Sequence, residues 1–341
     1  MTSIPAHPTQ RAIVQTGYGD PSAVLVSIAN LPIVAPTAHA VQVQVRASSI
    51  NPIDWQMIKG NRRLIHRRRF PFIPLFDVAG IVTAVGSEVS AFAVGDRVYG
   101  DNEVDAGGGG EYVTMSDSLL SRAPAGVSFV EAAAIPLAAQ TALMCIDRGG
   151  ISTGTRVAVV GASGGVGHFA VQMASAAGAL VTGVSSEKNR DFVLGLGAED
   201  VVDRNATNLA AAYGPDSFDV VIDTVGGRVQ WEQARLVLRP GGKFVTISRD
   251  EDDVMDPAAV LRLIVATTPR LIRALSPRGI KYIPVFLRSS TSLLERVTAL
   301  VESGSIRPHI GQVFPLTIDG VTAAIDESRR GRTVGKLALE R

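Results

Sequence analysis

Cysteine is almost absent from this chain, with a single residue, Cys145, among 341. That excludes a disulfide framework and any cysteine-rich metal cluster. Charge of one sign is missing too: 33 Lys and Arg stand against 32 Asp and Glu, for a formal net charge of +1. A balanced chain has no global pull towards nucleic acid or an anionic membrane. No uncharged apolar run reaches the ~20 residues needed to cross a bilayer. Residues 1–11 are polar and proline-broken, unlike a secretory signal, so a cytoplasmic location is expected. Aromatics make up only 5% of residues, while 46% are hydrophobic and 19% charged, the balance of an ordinary globular protein.

The most informative stretch is residues 156–167, RVAVVGASGGVG. A β-branched run, Val157 to Val160, breaks into small residues and glycines, and an apolar helical stretch follows. A strand, a tight turn and a helix N-terminus in that order make a phosphate site, because free backbone N–H groups and the helix dipole point at an anion. Ala162, Gly164 and Gly167 occupy the three small positions of the dinucleotide fingerprint, with alanine in place of the first glycine, and Ser163, Gly165 and Val166 complete the turn. Further strands are expected at Ala179 to Val184, Val201-Val202, Asp219 to Asp223 and Lys243 to Ser248, separated by helical stretches. That alternation argues for a doubly wound parallel sheet, a Rossmann domain.

The end of the second of these strands bears on the choice of dinucleotide. An NAD site usually places Asp or Glu there, to accept hydrogen bonds from the ribose 2′-hydroxyl. Here Ser185 and Ser186 are followed by Lys188 and Arg190, with Arg204 just past the third strand. Hydroxyls and cations stabilise a 2′-phosphate, so NADPH is the expected cofactor. Glu187 is the rival: if the strand runs longer, it becomes a ribose ligand of the NAD type.

A chain of 341 residues is long for one core. The N-terminal part reads as mostly β. Residues 41–47 (VQVQVRA) alternate, Val78 to Val85 is β-branched, and Gly95 to Tyr99 is a turn entering a strand. Arg307 to Phe314 and Val334 to Leu339 repeat that style. The expected division is a mostly-β catalytic domain at 1–123, the dinucleotide-binding domain at 124–284, and a return at 285–341 that completes the first.

Several stretches in order resemble one family over nearly the whole chain. They are Asn51-Pro52-Ile53-Asp54, residues 77–82 (DVAGIV), Val94 to Val98, residues 132–141 (AAAIPLAAQT), the turn at 162–167, and Gly335-Lys336. The set resembles the medium-chain dehydrogenase/reductase superfamily, and more closely its zinc-free, quinone oxidoreductase-like branch. The resemblance implies an α/β fold with a GroES-like catalytic domain, NADPH in the cleft, and a homodimer. It also implies roles: Asn51 near the nicotinamide ribose or the substrate carbonyl, Asp54 ordering that loop, and Thr141, Thr224, Val225, Ser248 and Lys336 on the cofactor. In the zinc-dependent branch a His-Glu pair stands where this chain has Phe76-Asp77, and a Cys stands near Asn51; the five histidines, His7, His39, His66, His168 and His309, are scattered. A catalytic zinc needs about three protein ligands, so no metal site is expected.

Without a metal to stabilise an alkoxide, the expected chemistry is hydride transfer to a conjugated acceptor, a quinone or an α,β-unsaturated carbonyl. The proton donor stays open among Lys59, solvent and a pocket walled by Trp55. Residues 62–69 (RRLIHRRR) are either a solvated loop or a patch for an anionic handle, such as a coenzyme A phosphate or an acidic carrier protein. An enoyl reductase on such a carrier-bound substrate is therefore an alternative, and an NADPH-binding sensor with little turnover is another. Residues 258–275 read as a helix packed on the sheet, or else as a hydrophobic lid.

Overall fold

Residues 8–64, 66–247 and 278–341 are described in the computed structural model. Ser248 and the apolar stretch 258–275 lie outside them. Strand β3 (Ala40–Ile50) organises the first sheet, and its alternation places Val41, Val43 and Val45 inside with no exposed surface. It pairs antiparallel with β4 (Asp77–Val85) along one side. On the other side β6 (Tyr112–Ser116) covers its first half, and β15 (Lys336–Glu340) covers its second. Beyond β4 lie β5 (Arg97–Asp101) and β7 (Leu120–Arg122), and β14 (Ile310–Pro315) lies beyond β15. A separate hairpin joins β1 (Thr9–Gln15) to β2 (Leu25–Pro32). The last two strands thus sit in the sheet of the N-terminal part.

The second sheet is parallel throughout. Its strands are β8 (Arg156–Val160), β9 (Leu180–Ser185), β10 (Asp200–Asp203), β11 (Phe218–Asp223), β12 (Leu238–Thr246) and β13 (Lys281–Pro284). Their spatial order, β10-β9-β8-β11-β12-β13, is the 3-2-1-4-5-6 order of the dinucleotide-binding fold. The strand order reverses between β8 and β11, and in sheets of this order ligands bind in the crevice at the carboxyl ends of the strands flanking that point. The chain is an α/β protein with a Rossmann sheet and a GroES-like mostly-β part.

Two differences from the sequence reading have physical causes. The expected strand starts at Lys243, yet residues 239–242 also lie within β12, where Phe218 pairs with Leu238 while Val220 pairs with Lys243. The intervening residues form a bulge in which Gly241 takes φ +74°, and Arg239 bonds Asp219 across it. β13 was not expected at all; four half-exposed residues ending in proline carry little strand signal, and an edge strand tolerates both.

Alanines let the helices approach closely. Ala138, Ala139 and Ala142 of the helix Pro136–Gly149 share one buried cluster with Ala170 and Ala174 of the helix Gly167–Ala176. The same cluster takes in Ala47, Ala79 and Tyr99 of the first sheet, so one core runs through both halves. Tyr99 also donates its hydroxyl to the Leu294 carbonyl at 2.9 Å.

Candidate active site

The glycine turn follows β8 directly. Gly161 takes φ +79°, and a Cβ there would lie 2.4 Å from Thr224 Oγ1. A Cβ on Gly167 would lie 2.0 Å from the Gly161 carbonyl oxygen. The helix that starts at Gly167 has no side-chain cap; the His168 N–H turns back to the Gly164 carbonyl at 3.0 Å, and the positive end of the helix dipole faces the turn. Ala162 is fully buried and packs where Gly183 of β9 leaves room. Ser163 Oγ accepts from Asn189 Nδ2, and its carbonyl accepts from Gly335 N at 2.8 Å. Gly164 has open space apart from the Gly161 oxygen at 3.3 Å, and Gly165 faces the Lys336 stem. These are the features of a cradle for a dinucleotide pyrophosphate.

Opposite the turn, the loop after β11 is held by Asp223. Its carboxylate accepts from the N–H groups of Val225 and Gly226 and from Thr246 Oγ1, at 2.9–3.0 Å. Thr224 donates to the Val160 carbonyl, and Val225 is half-exposed at the lip. At the end of β9, Ser185 and Ser186 are buried, and Lys188 and Arg204 are exposed, with Arg204 N bonded to the Ser185 carbonyl. Glu187 accepts from Arg190 Nε at 2.9 Å. Among the described residues neither Lys188 nor Arg204 makes an ion pair.

A buried polar centre lies where β3, β4 and β15 meet. Asn51 is 3% exposed and Lys336 is 3% exposed, although Lys336 is the first residue of a C-terminal strand. Lys336 Nζ donates to Asn51 Oδ1 and to the Ile50 carbonyl at 3.2 Å, and stands 3.5 Å from Asp77 Oδ2. Asn51 Nδ2 donates to that same Asp77 oxygen at 2.7 Å, as does Ser49 Oγ at 2.5 Å; Asp77 Oδ1 accepts from Leu137 N at 2.9 Å. An ammonium only donates and a carboxylate only accepts, so the Asn51 amide has a single orientation here. Its second N–H has no hydrogen bond among the described residues. Burial lowers the Lys336 pKa, and the charges of Asp77 and Asp54 oppose that shift.

Asp54 sits under this centre rather than in it. As the third residue of the helix Pro52–Lys59 it accepts from Asn51 N at 2.8 Å and from Phe76 N at 3.0 Å, closing a capping box. Its carboxylate thereby ties the backbone of Asn51 to that of Phe76. Burial, reinforced by the charge of Asp77, raises its pKa to about 7. Asp101, the cross-strand neighbour of Asp77, is raised as well by burial and accepts from Ser289 Oγ at 2.6 Å.

These carboxyls keep their protons to higher pH folded than unfolded. Their contribution to stability is complete below the unfolded pKa near 4 and is lost as pH rises through about 7. Burial pushes His168 down to about 4, so this imidazole adds stability as pH rises through its unfolded value near 6.5 and offsets part of the loss from the two carboxyls just above pH 6. Tm is expected to be lower at pH 9 than at pH 6, with a shallower fall in Asp54→Asn. A Tm that climbs over that interval would contradict these assignments.

The structure gathers Asn51, Lys336, the 162–167 turn, Thr224 and Val225, but not Lys59. Lys59 lies against the Trp55 ring at 5.8 Å and within the field of Asp20, on the side of its helix that faces Ser328. Thr141 is buried one turn beyond Leu137 and donates to its carbonyl. Two histidines that look scattered do meet: His309 N donates to His168 Nε2, and His168 Nδ1 faces the Gly164 carbonyl at 3.0 Å. The sequence reading missed Asp77, Ser49 and Asp101 as site residues. An acid opening an otherwise apolar, buried strand was the available signal. Among the described residues no group of three His, Cys, Asp or Glu side chains stands ready to hold a metal ion.

Residues 37–125 match the alcohol dehydrogenase GroES-like domain, and residues 196–339 match the zinc-binding dehydrogenase family. The chain is 30% identical to a 2-methylene-furan-3-one reductase of Solanum lycopersicum, over 99% of this chain and 81% of that protein. It is 31% identical to a chloroplast envelope quinone oxidoreductase homolog of Arabidopsis thaliana, over 96% and 98%. Its backbone is similar to the solved quinone oxidoreductase of Coxiella burnetii, with a TM-score of 0.82, 25% identity, and 98% and 100% of the two chains covered. With relatives of this kind along almost its whole length, the chain belongs to the medium-chain dehydrogenase/reductase superfamily, in its quinone oxidoreductase-like branch, and is an oxidoreductase.

Proposed function

We propose that the chain is an NADPH-dependent, zinc-independent reductase of a quinone or an α,β-unsaturated carbonyl. The observation that carries this reading is the oriented Asn51 amide. Lys336 holds its oxygen and Asp77 one of its N–H groups, so the remaining N–H is available to an acceptor oxygen. When bound, the nicotinamide supplies the hydride. The Asn51 N–H then stabilises the negative charge that develops on the acceptor oxygen, and it is already in place when the charge arrives. Conjugation in a quinone or enone spreads that charge, which suits an amide donor in place of a metal. Lys336, whose Cδ lies 3.3 Å from where a Gly165 Cβ would stand, links this centre to the phosphate turn. Hydride source and oxyanion donor thereby share one scaffold.

Buried Ser185 and Ser186 with exposed Lys188 and Arg204 favour the 2′-phosphate, and Glu187, engaged by Arg190, is drawn off from a ribose. The reading is tested by NADPH and NADH titrations followed by turnover on a quinone and enone panel, with wild type, Lys188→Ala and Asn51→Ala. NADPH is expected to bind more tightly than NADH, with Lys188→Ala narrowing the difference. Asn51→Ala should lower kcat by about a hundredfold with NADPH binding retained. Equal affinity for both dinucleotides would overturn the cofactor choice. Unchanged turnover in Asn51→Ala would remove the amide from the mechanism.

A further inference from the structure

The basic run at 62–69 does not behave as one surface patch. Arg63, Arg67 and Arg69 are exposed, and Arg62 bonds Gln56 at 3.1 Å. Arg68 alone turns inward and is 8% exposed. Its backbone N–H donates to the Tyr18 hydroxyl at 2.8 Å, and its Nη1 donates to Gln15 Oε1 at 3.2 Å. Gln15 is fully buried, with its amide nitrogen fixed on the carbonyls of Gly17 and Ile58, so its oxygen has to face the arginine. The guanidinium lies over the Phe72 ring at 3.8 Å, with Phe76 at 5.9 Å.

The remaining donors, Nε and Nη2, are buried and have no hydrogen-bond partner. They are the two parallel donors along one edge of the guanidinium, the edge that matches the two oxygens of a carboxylate. Burial lowers the Arg68 pKa to about 10, so the group remains a cation at neutral pH. Asp54 is the carboxylate whose field it feels most, but both Asp54 oxygens are taken by Asn51 N and Phe76 N. A held, charged fork with an empty edge is costly in a protein interior unless something completes it.

Its surroundings say what. Phe72 and Phe76 belong to an apolar patch with Met57, Ile53, Ala106 and Leu137. Leu137 and Phe76 border Asp77 directly, through the Leu137 N–H and the chain itself, and Asp77 holds Asn51. The patch therefore runs from the proposed oxyanion donor to the arginine edge. We propose that Arg68 is an anion-recognition residue for the acceptor. The acceptor is a conjugated carbonyl compound that also carries a carboxylate, seated on Nε and Nη2 with the apolar part against Phe72 and Phe76. This deepens the reductase reading and rests on it.

The test uses a benzoquinone bearing a short carboxylate side chain and its methyl ester, with tethers of one to three methylenes. For wild type, kcat/KM for the carboxylate should exceed that for the ester by about tenfold or more at one tether length. In Arg68→Met the ratio should fall to about one, and in Arg68→Lys most of it should be lost, because an ammonium has no fork. Arg67→Ala and Arg69→Ala should keep the wild-type ratio. A wild-type ratio of about one, or an equal drop in Arg67→Ala, overturns the assignment. Benzoate binding by calorimetry separates the two levels of inference and also covers a poorly folded Arg68→Met, since Arg68→Lys serves as its second variant. If wild type reduces neither quinone, the reductase reading fails, while benzoate binding lost in both Arg68 variants still supports the site. Benzoate that binds wild type and both variants equally rejects it.

Discussion

Lys336→Met is expected to unfold at a Tm lower by roughly 10 °C and to lose about a hundredfold in kcat/KM. The stability loss follows from what the substitution leaves behind. Asp77 has no exposed surface, and its ammonium partner at 3.5 Å would be replaced by a thioether. Removing one member of a buried pair typically costs about 3–5 kcal/mol, chiefly from the charge left uncompensated, and in a chain of this size each kcal/mol corresponds to a few degrees. The activity loss has another origin. Without an ammonium to hold Oδ1, the Asn51 amide is free to flip, and the N–H proposed to meet the acceptor oxygen is out of place part of the time. The two effects separate in the double variant Lys336→Met/Asp77→Asn. Removing both charges should recover most of the stability without restoring turnover. Recovery of both together would mean that Lys336 acts only as a structural counter-ion.

Gly167→Ala has the largest expected effect on cofactor affinity. The added methyl would stand 2.0 Å from the Gly161 oxygen, 2.8 Å from its carbonyl carbon and 3.0 Å from the Ala162 Cα, all of them backbone. No rotamer change relieves such a clash, so the turn has to open or the helix has to retreat from β8. Overpacking of this kind costs about 1–3 kcal/mol in stability. The larger consequence is that the N–H groups at the helix start no longer converge on the pyrophosphate. A weakening of NADPH binding by a hundredfold or more, read by fluorescence titration, is expected. Gly164→Ala is the matched control, because its methyl would meet only the Gly161 oxygen at 3.3 Å. If both variants bind NADPH like wild type, the turn is not the phosphate cradle.

The dinucleotide half was legible because its signals are local. A β-branched run, small residues and an apolar helix follow one another without a break from Arg156 to Ala176, and the structure keeps them as strand, turn and helix in that order. Asn51 and Lys336 emerged only through the resemblance, since neither has a local signature. What joins them is a contact across 285 positions, which no pattern within an element reports. Asp77 does carry a local signal as the acid that opens an apolar strand, but its role depends on partners from three distant segments, which that signal does not report. The arginine run shows a further limit. Five arginines within eight residues carry no period, so nothing in the order distinguishes Arg68 from its exposed neighbours. The tertiary position of Gln15 and Phe72 makes that choice.

β15 has a consequence for how the molecule comes to be folded. It lies inside its sheet, between β14 and β3, and it brings Lys336 to Asn51. During synthesis β3 is made early but lacks its neighbour until nearly three hundred further residues have followed, counted from the 286 positions between Ile50 and Lys336. Everything in the parallel sheet is complete by then and is free to form on its own local contacts. The first sheet, in contrast, waits with one side of β3 partly open, and closing it spans a loop as long as most of the chain. The dinucleotide half is thus expected to be structured before the other. The proposed catalytic amide acquires its orientation in the last step, so a refolding chain should regain NADPH binding before it regains turnover.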